Sequence, residues 1–343
     1  MFRQLNIFVR IVTPWREAEE HVAVAGSVPV LCSGDVAERF QNYHLSVEID
    51  APQVPRRDSD NRAFLVLLDD LPLFCKMWFY SDLNYAGDLN RYLRLTLTVR
   101  DPFAQPYDDT AIPKALQRRC FEPFGCVKGL RELRIEGAHH GSLERALRAA
   151  QAEPYDAPQK CLQEAMALKE AGNEALGKRD PRRAIELYFA SFEKIHIVCV
   201  GRRRAIWADA FFETSFSDGP YKDQHGQVVR LNLRVALVAN LVKAYLDLEE
   251  YEEAEFWGMR AIRLLREATG MNLEEAGDTE EAVLNFAAAE QMGKIYYRTG
   301  IAQKALGKKT EAWKLLKVAS QYLPHDVSIT QELASLRPDS AKA

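Results

Sequence analysis

The spacing of apolar and polar positions changes near residue 152, which divides the chain into two parts. Before that point, strands are predicted at 5–12, 43–49, 64–80 and 93–100. In the last of these, Leu93, Leu95 and Leu97 alternate with polar residues, which predicts an antiparallel strand with one buried face. Beyond a short linker at 153–158, apolar positions recur at helical spacing. The change predicts an α+β domain over 1–152 and an all-α domain over 153–343.

Four further predictions concern the first part of the chain. The aromatic stretch 76–80 is expected in the core of a sheet, and the polar, proline-containing run 51–61 is expected to be a loop. A helix is predicted over 111–125 with a break near Pro123, and a strand over 130–137. A second helix is predicted over 141–151 with Ser142 as its N-cap.

The second part contains a repeated unit of two helices. The copies span 167–195, 239–264 and 294–324. In each copy the second helix carries a small residue near its start, which is Ala184, Ala254 or Ala312, and Pro324 closes the third copy. The spacers, 199–230 and 266–286, are expected to be helix extensions and loops, and 328–336 is predicted to be a capping helix.

This pattern resembles the tetratricopeptide repeat (TPR) over about half of the chain. In that family, small residues let two helices approach closely and the proline ends the second helix. Two positions depart from the family pattern: Pro181 replaces an aromatic residue, and Gly258 replaces a large residue. The resemblance implies a superhelix of three repeats and a capping helix, whose first helices line a concave groove.

Aligning the three copies brings five polar residues to the inward face of the first helices. They are Lys169 and Asn173 in the first copy, Asn240 in the second, and Lys294 and Arg298 in the third. A single pair of cations four residues apart is ordinary solvated surface. The complete order of five resembles the two-carboxylate clamp of chaperone-binding TPR domains at every position.

The residue types suit a peptide that ends in aspartate and so presents two carboxylates. Ammonium and guanidinium groups form charge-assisted hydrogen bonds with carboxylates, and asparagine amides add neutral donors. By the resemblance, Lys169, Asn173 and Asn240 hold the terminal carboxylate, with Lys294 shared. Lys294 and Arg298 then hold the side-chain carboxylate or the backbone before it. The resemblance implies as ligand the Glu-Glu-Val-Asp tails of heat-shock chaperones.

Composition limits the other classes of function. A net charge of −4 argues against general nucleic-acid binding, and no long apolar run indicates a membrane span. Six cysteines without a CxxC pair indicate free thiols in a reducing compartment, and the cytoplasm is expected. The sequence predicts a non-enzymatic co-chaperone or adaptor that needs no metal or cofactor, and its N-terminal domain would bind a client protein.

Other candidate chemistry is weak. His139 and His140 have no third residue spaced as a metal ligand, Cys120 and Cys126 are expected in the core, and Arg202–Arg204 is expected to be a solvated turn. Phosphate-binding loops and hydrolase motifs are absent. Two alternatives remain open. The N-terminal domain could be a divergent enzyme that the repeats recruit, or the whole chain could be a scaffold that binds another acidic C-terminus.

Overall fold

The computed structural model describes residues 5–12, 44–50, 63–98, 112–200, 203–268 and 282–336. The described chain is mostly helical. It divides into two compact units, of which the first is Met1–Asp156 with Trp207–Phe211 and the second is Ala157–Ile206 with Phe212–Ala343. The sequence pattern carried no signal that 207–211 joins the first unit.

The first unit contains a mixed five-stranded sheet. Its strands are β1 (Leu5–Val12), β2 (His44–Asp50), β3 (Ala63–Leu67), β4 (Leu93–Thr98) and β5 (Glu132–Glu136), in the order β3-β2-β1-β4-β5. The pairs β1–β2 and β2–β3 are antiparallel, whereas β1–β4 and β4–β5 are parallel. Strands are therefore confirmed near 5–12, 43–49, 93–100 and 130–137, within the described residues.

Strand β4 follows the predicted alternation but not the predicted direction. Leu93, Leu95 and Leu97 are buried, and the residues between them are partly exposed. The expectation of an antiparallel strand is wrong, because β4 runs parallel to both of its neighbours. Alternation reports that one face of a strand is covered, and it carries no information about the direction of the partner strand.

The first unit has three α-helices within its described residues: α1 (Leu71–Leu83), α2 (Lys114–Phe121) and α3 (Gly141–Ala152). Helix α1 contradicts the prediction that a strand continues to residue 80 and that 76–80 lies in a sheet. Leu71, Cys75 and Trp78 are buried at helical spacing, and Pro72 lies in the first turn, where a helix tolerates it. The density of aromatic residues concealed this periodicity.

The remaining predictions for the first unit have mixed outcomes. Helix α2 ends at Phe121, and a 3₁₀ turn, Glu122–Cys126, follows it, so the break near Pro123 is confirmed. Ser142 as an N-cap is wrong, because α3 begins at Gly141 and its N-cap, His140, makes no side-chain capping bond. The loop predicted over 51–61 lies outside the described residues.

In the core of the first unit, one face of β4 packs together with buried residues of α1, α2 and α3. Its buried members are Leu68, Leu71, Cys75, Trp78, Leu93, Leu95, Leu97, Ile112, Cys120, Phe121, Phe124, Val127, Leu133, Leu143 and Leu147. Beside this core, Trp207 stacks on Tyr80 with ring centroids 5.7 Å apart. The amide of Ala208 donates to Asn84 Oδ1 over 2.6 Å. These contacts explain why 207–211 groups with the first unit.

The second unit is built from consecutive helix pairs. The pairs are α4 (Pro158–Gly177) with α5 (Pro181–Lys194), α6 (Gly226–Asp247) with α7 (Tyr251–Ala268), and α8 (Ala289–Ala305) with α9 (Lys309–Tyr322). Helix α10 (Val327–Ser335) packs on α9 and confirms the predicted capping helix. The first helices also contact one another, α4 with α6 and α6 with α8.

Small residues allow the close approach of helices, as predicted. Ala184, Ala254 and Ala312 are fully buried. Gly258 is explained by α8, because a Cβ atom there would lie 1.9 Å from Thr299 Oγ1. Pro181 is explained by its position as the first residue of α5, where its missing N–H costs no hydrogen bond.

The first spacer differs from the prediction of extended helices. Residues Ile197–Val200 form β6 and Arg203–Ile206 form β7, which pair as an antiparallel hairpin. Arg203 and Arg204 therefore belong to a strand rather than to a turn on a helix extension. The β-branched residues Ile197, Val198 and Val200 were the signal for a strand. In the second spacer, α7 continues to Ala268, and 269–281 lies outside the described residues.

Candidate functional site

The first helices of the three pairs carry the five residues that the sequence singled out. Lys169 and Asn173 lie on α4, Asn240 on α6, and Lys294 and Arg298 on α8. Because α6 contacts both α4 and α8, the three helices are neighbours in the order of the residues they carry. All five side chains are at least partly exposed.

Asn173 and Asn240 are in direct contact across α4 and α6. The Nδ2 atom of Asn240 donates to Oδ1 of Asn173 over 2.7 Å. The hydroxyl of Tyr188, on α5, donates to the same oxygen over 3.0 Å. The Tyr188 ring is buried against Gly172, where a Cβ atom would lie 2.5 Å from the ring. The contact of Tyr188 with Asn173 was not predicted from the sequence.

Arg298 links α8 to α6. Its Nη1 atom donates to the backbone carbonyl of Ala239, the residue before Asn240. Burial lowers the pKa of the Arg298 guanidinium, and the nearby Asp247 and Tyr188 oppose that shift. A guanidinium carries five N–H donors, so the bond to Ala239 leaves others for a ligand. The structure thus joins Asn173 to Asn240 directly, and Arg298 to the backbone next to Asn240; we call these three residues the Asn173–Asn240–Arg298 array.

The two lysines are held less firmly. Lys294 pairs with Glu290 one turn earlier on α8, with 2.6 Å between Nζ and Oε1. Glu290 is the more exposed partner, at 67% against 35% for Lys294. The Nζ atom of Lys169 has its described polar contact with Met166 Sδ, at 3.6 Å. Among the described side chains, neither lysine contacts Asn173, Asn240 or Arg298 through a hydrogen bond.

A second ion pair lies on α6 beside this array. Lys243 and Asp247 are one turn apart and form a salt bridge, and Asp247 also acts electrostatically on Arg298. Asp247 and Glu290 are acidic residues that sequence reasoning missed near the proposed cations. Glu290 was visible as the residue four positions before Lys294, a spacing that brings side chains together on a helix.

The five residues carry hydrogen-bond donors of two kinds. Lys169, Lys294 and Arg298 supply charged donors, whereas the amide groups of Asn173 and Asn240 supply neutral ones. Charge-assisted hydrogen bonds to carboxylate oxygens are shorter and about twice as strong as neutral ones. An anionic group with several oxygens matches this set of donors.

Titratable side chains of the first unit are hydrogen-bonded or buried inside the protein, as His139, Cys120 and Cys126 show. His139 bonds through Nε2 to Glu144 over 2.7 Å and through Nδ1 to the carbonyl of Gly137 over 2.9 Å. Burial raises the pKa of the Cys120 thiol to about 12 and that of Cys126 to about 11, so both stay protonated at neutral pH. Across the described ranges, no group of three His, Cys, Asp or Glu side chains could hold a metal ion.

An open cleft of about 730 Å³ also lies in the first unit. Its lining includes Lys128, Arg131, Arg148 and Glu132. Lys128 donates to the carbonyl of Ala150 at the end of α3. Arg148 pairs with Glu144, and Glu132 pairs with Arg94 and Arg134. Most charges of the cleft are therefore satisfied by the protein itself.

Among the helices of the described ranges, none combines the length and the apolar character that a membrane span needs.

Three comparisons with known proteins were made, and only the one with solved structures returned matches. No protein-family model and no curated protein matches the chain. A solved structure of the TPR-containing C-terminal domain of a putative FK506-binding protein from Plasmodium falciparum is 18% identical, with a TM-score of 0.35. The alignment covers 55% of this chain and 95% of that one.

Two further solved structures are TPR domains of the protein RPAP3. The second TPR domain of human RPAP3, in complex with the HSP70 peptide SGPTIEEVD, is 20% identical with a TM-score of 0.31, covering 53% of this chain and 99% of its own. The first TPR domain of Spaghetti (RPAP3), bound to the HSP90 peptide SRMEEVD, has the same identity and TM-score and covers 53% and 98%.

Proposed function

We propose that the helical unit is a peptide-binding module for acidic C-termini of the Glu-Glu-Val-Asp type, and that the protein acts as a non-enzymatic co-chaperone or adaptor. The observation that carries this proposal is the array Asn173–Asn240–Arg298 across three neighbouring helices. Lys169 and Lys294 lie on the two outer helices of the same set. The donors therefore lie on three neighbouring helices, with charged donors on both outer helices, and a terminal aspartate would present two carboxylates to them.

The proposed roles follow from the position of each donor. Lys169, Asn173 and Asn240 hold the terminal carboxylate together with Lys294. Lys294 and Arg298 hold the side-chain carboxylate or the backbone just before it. Binding of the peptide replaces Glu290 as the partner of Lys294, because the ligand carboxylates compete for the same ammonium group. The partner in this proposal is the C-terminal tail of a heat-shock chaperone in the cytoplasm.

The first unit is proposed to bind a client protein rather than to catalyse a reaction. Its His139 is committed to two internal bonds, and its described thiols have raised pKa values that disfavour the reactive thiolate. Nucleic acid, membrane and cofactors have no part in this proposal. The alternative, a divergent enzyme recruited by the repeats, predicts turnover of a substrate by the purified protein.

Calorimetric titration tests the proposed function. The peptides SRMEEVD and SGPTIEEVD are suitable probes, each also prepared with a C-terminal amide. We expect the free-acid peptides to bind the wild-type protein and Lys294→Ala to abolish binding. The matched control is Lys309→Ala, which removes an exposed lysine at the start of α9. Undiminished binding by Lys294→Ala would overturn the assignment.

A pull-down from cytosol tests the partners. Wild-type protein is compared with the double variant Lys294→Ala, Arg298→Ala. Partners that are lost with the variant use the five-residue site, and partners that remain use another surface, such as a client-binding surface of the first unit. Recovery of a heat-shock chaperone with both proteins alike would contradict the proposed function. Loss of a different protein with an acidic C-terminus would favour the alternative of a general scaffold.

A further inference from the structure

Tyr188 is the one described side chain from a second helix that donates a hydrogen bond to a residue of the proposed site. Tyr188 lies on α5, and its hydroxyl donates to Oδ1 of Asn173 on α4. The ring is fully buried, and Gly172 leaves the space that it occupies. A buried tyrosine with its ring packed so closely has little freedom to move its hydroxyl away from Asn173.

The direction of the Tyr188 hydroxyl proton follows from its surroundings. The Arg298 guanidinium is close enough to Tyr188 to act on it electrostatically. A positive group attracts the oxygen lone pairs and repels the proton, so the proton points away from Arg298 and toward Asn173 Oδ1. Burial raises the pKa of Tyr188 to about 12, and the hydroxyl therefore remains a donor at neutral pH.

Asn173 Oδ1 accepts two bonds, one from Tyr188 and one from Asn240. An amide oxygen has two lone pairs, so both are used. The Nδ2 group of Asn173 then carries two N–H donors on an exposed side chain, and no acceptor for them is present among the described residues. If the amide flipped, the Nδ2 group of Asn173 would face the N–H of Asn240, and the hydrogen bond between the two asparagines would be lost.

We infer that Tyr188 is a positioning residue that fixes the amide of Asn173 with its N–H donors toward the ligand, and that it thereby selects a free C-terminal carboxylate over a C-terminal amide. This inference rests on the proposed function, since it assigns a specificity to the same site. A carboxylate offers only acceptors to Asn173, whereas a terminal amide also presents donors, which a fixed Nδ2 group cannot accept.

Tyr188→Phe removes the hydroxyl and retains the ring against Gly172. We expect this variant to bind the free-acid peptide SRMEEVD roughly threefold to tenfold more weakly, because one orienting hydrogen bond is lost. The affinity for the amidated peptide should change less, so the ratio of the two affinities should fall. In an Asn173→Ala background, Tyr188→Phe should have no further effect, because the residue through which it acts is gone.

The matched control is Tyr322→Phe. It removes another largely buried tyrosine hydroxyl, one that accepts from the amide of Val283. It should leave the ratio of affinities for free-acid and amidated peptide unchanged. An equal loss of affinity for both peptides in Tyr188→Phe would overturn the inference, since that result describes a structural role alone. A further loss in the Asn173→Ala background would overturn it as well.

A measurement without ligand separates this inference from the proposed function. The side-chain amide signals of Asn173 in a nitrogen–proton NMR spectrum are identified by their loss in Asn173→Ala. Tyr188→Phe should shift these signals in the free protein, and Tyr322→Phe should not. If the wild-type protein binds neither peptide but the signals shift, the proposed function fails while the contact remains. Unchanged signals in Tyr188→Phe would overturn the positioning role whatever the peptides do.

Discussion

The first-repeat pair, Lys169 and Asn173, and the third-repeat pair, Lys294 and Arg298, have the same spacing on corresponding helices but are held differently. In the first pair, the lysine has no ionic partner among the described residues, while the asparagine is fixed by Tyr188 and Asn240. In the third pair, the lysine is ion-paired and the arginine bonds to the backbone of α6. Each pair thus combines one side chain that is bonded to a neighbouring helix with one lysine that has no described bond to another helix.

This difference indicates two kinds of contribution. Anchored side chains set the distance between neighbouring helices and the direction of the donors, so they affect both stability and binding. Adjustable lysines follow the ligand and affect binding alone. Anchored donors also reduce the conformational entropy that a ligand must remove on binding. Variants at the two pairs should therefore separate stability from affinity.

The largest effect is expected for Arg298→Ala. The variant loses the ligand contact and also the bond to Ala239, a hydrogen bond from a charged donor in a partly buried setting. We expect the free energy of unfolding to fall by roughly 1–3 kcal/mol, and peptide binding to be lost. Denaturant titration and calorimetry measure the two quantities. An unchanged free energy of unfolding would show that the bond between α8 and α6 does not stabilise the unit.

Lys169→Ala should reduce binding without affecting stability. The side chain is half-exposed, and its described polar contact is a weak one with Met166. We expect the affinity for a Glu-Glu-Val-Asp peptide to fall at least about tenfold, because a charge-assisted bond is lost, with the unfolding transition unchanged. Lys178→Ala, an exposed lysine just after α4, is the control. A lower midpoint of unfolding in Lys169→Ala would contradict the comparison of the two pairs.

The sequence predicted the helical half well because its signals are local. Helix periodicity and the small residues depend on residues a few turns apart, and aligning the three repeated copies then gives the register of Lys169, Asn240 and Lys294. The anchoring contacts depend on pairs far apart in the chain, such as Arg298 with Ala239, and no periodic pattern encodes them. Whether the five residues form a carboxylate site remains a prediction.

The first half was predicted less well for a related reason. Strand positions were recognised, but β4 pairs in parallel with β1, a partner more than eighty residues earlier, and the order of strands is set by such distant pairs. Helix α1 was mistaken for a strand because its aromatic residues favour strands, although Leu71 and Cys75 already showed helical spacing. Tertiary packing overrode the local preference there.

Added salt should weaken peptide binding less than Lys169→Ala does, but change it more than Glu290→Gln does. Lys169 and Lys294 are partly exposed, so their attraction to ligand carboxylates is screened by ions, whereas the more buried bonds of Arg298 are screened less. We expect the affinity of the wild-type protein to fall roughly threefold to tenfold between 0.05 and 0.5 M salt. The dependence should be shallower in Lys169→Ala. Equal slopes for the two proteins, measured by fluorescence anisotropy, would mean that Lys169 does not contribute as a charge.

The smallest effect is expected for Glu290→Gln. In the ligand-free protein, Glu290 forms an ion pair with Lys294. The hydrogen bond from Lys294 lowers the pKa of the Glu290 carboxyl. The variant removes this competitor, so peptide affinity should rise by less than about threefold, the small change typical of an exposed ion pair. Glu311→Gln, at an acidic residue in the first turn of α9, controls for the change in net charge. A decrease in affinity for Glu290→Gln would show that Glu290 holds Lys294 in position for the ligand. Both residues of the third-repeat pair would then be anchored, whereas only Asn173 is anchored in the first-repeat pair.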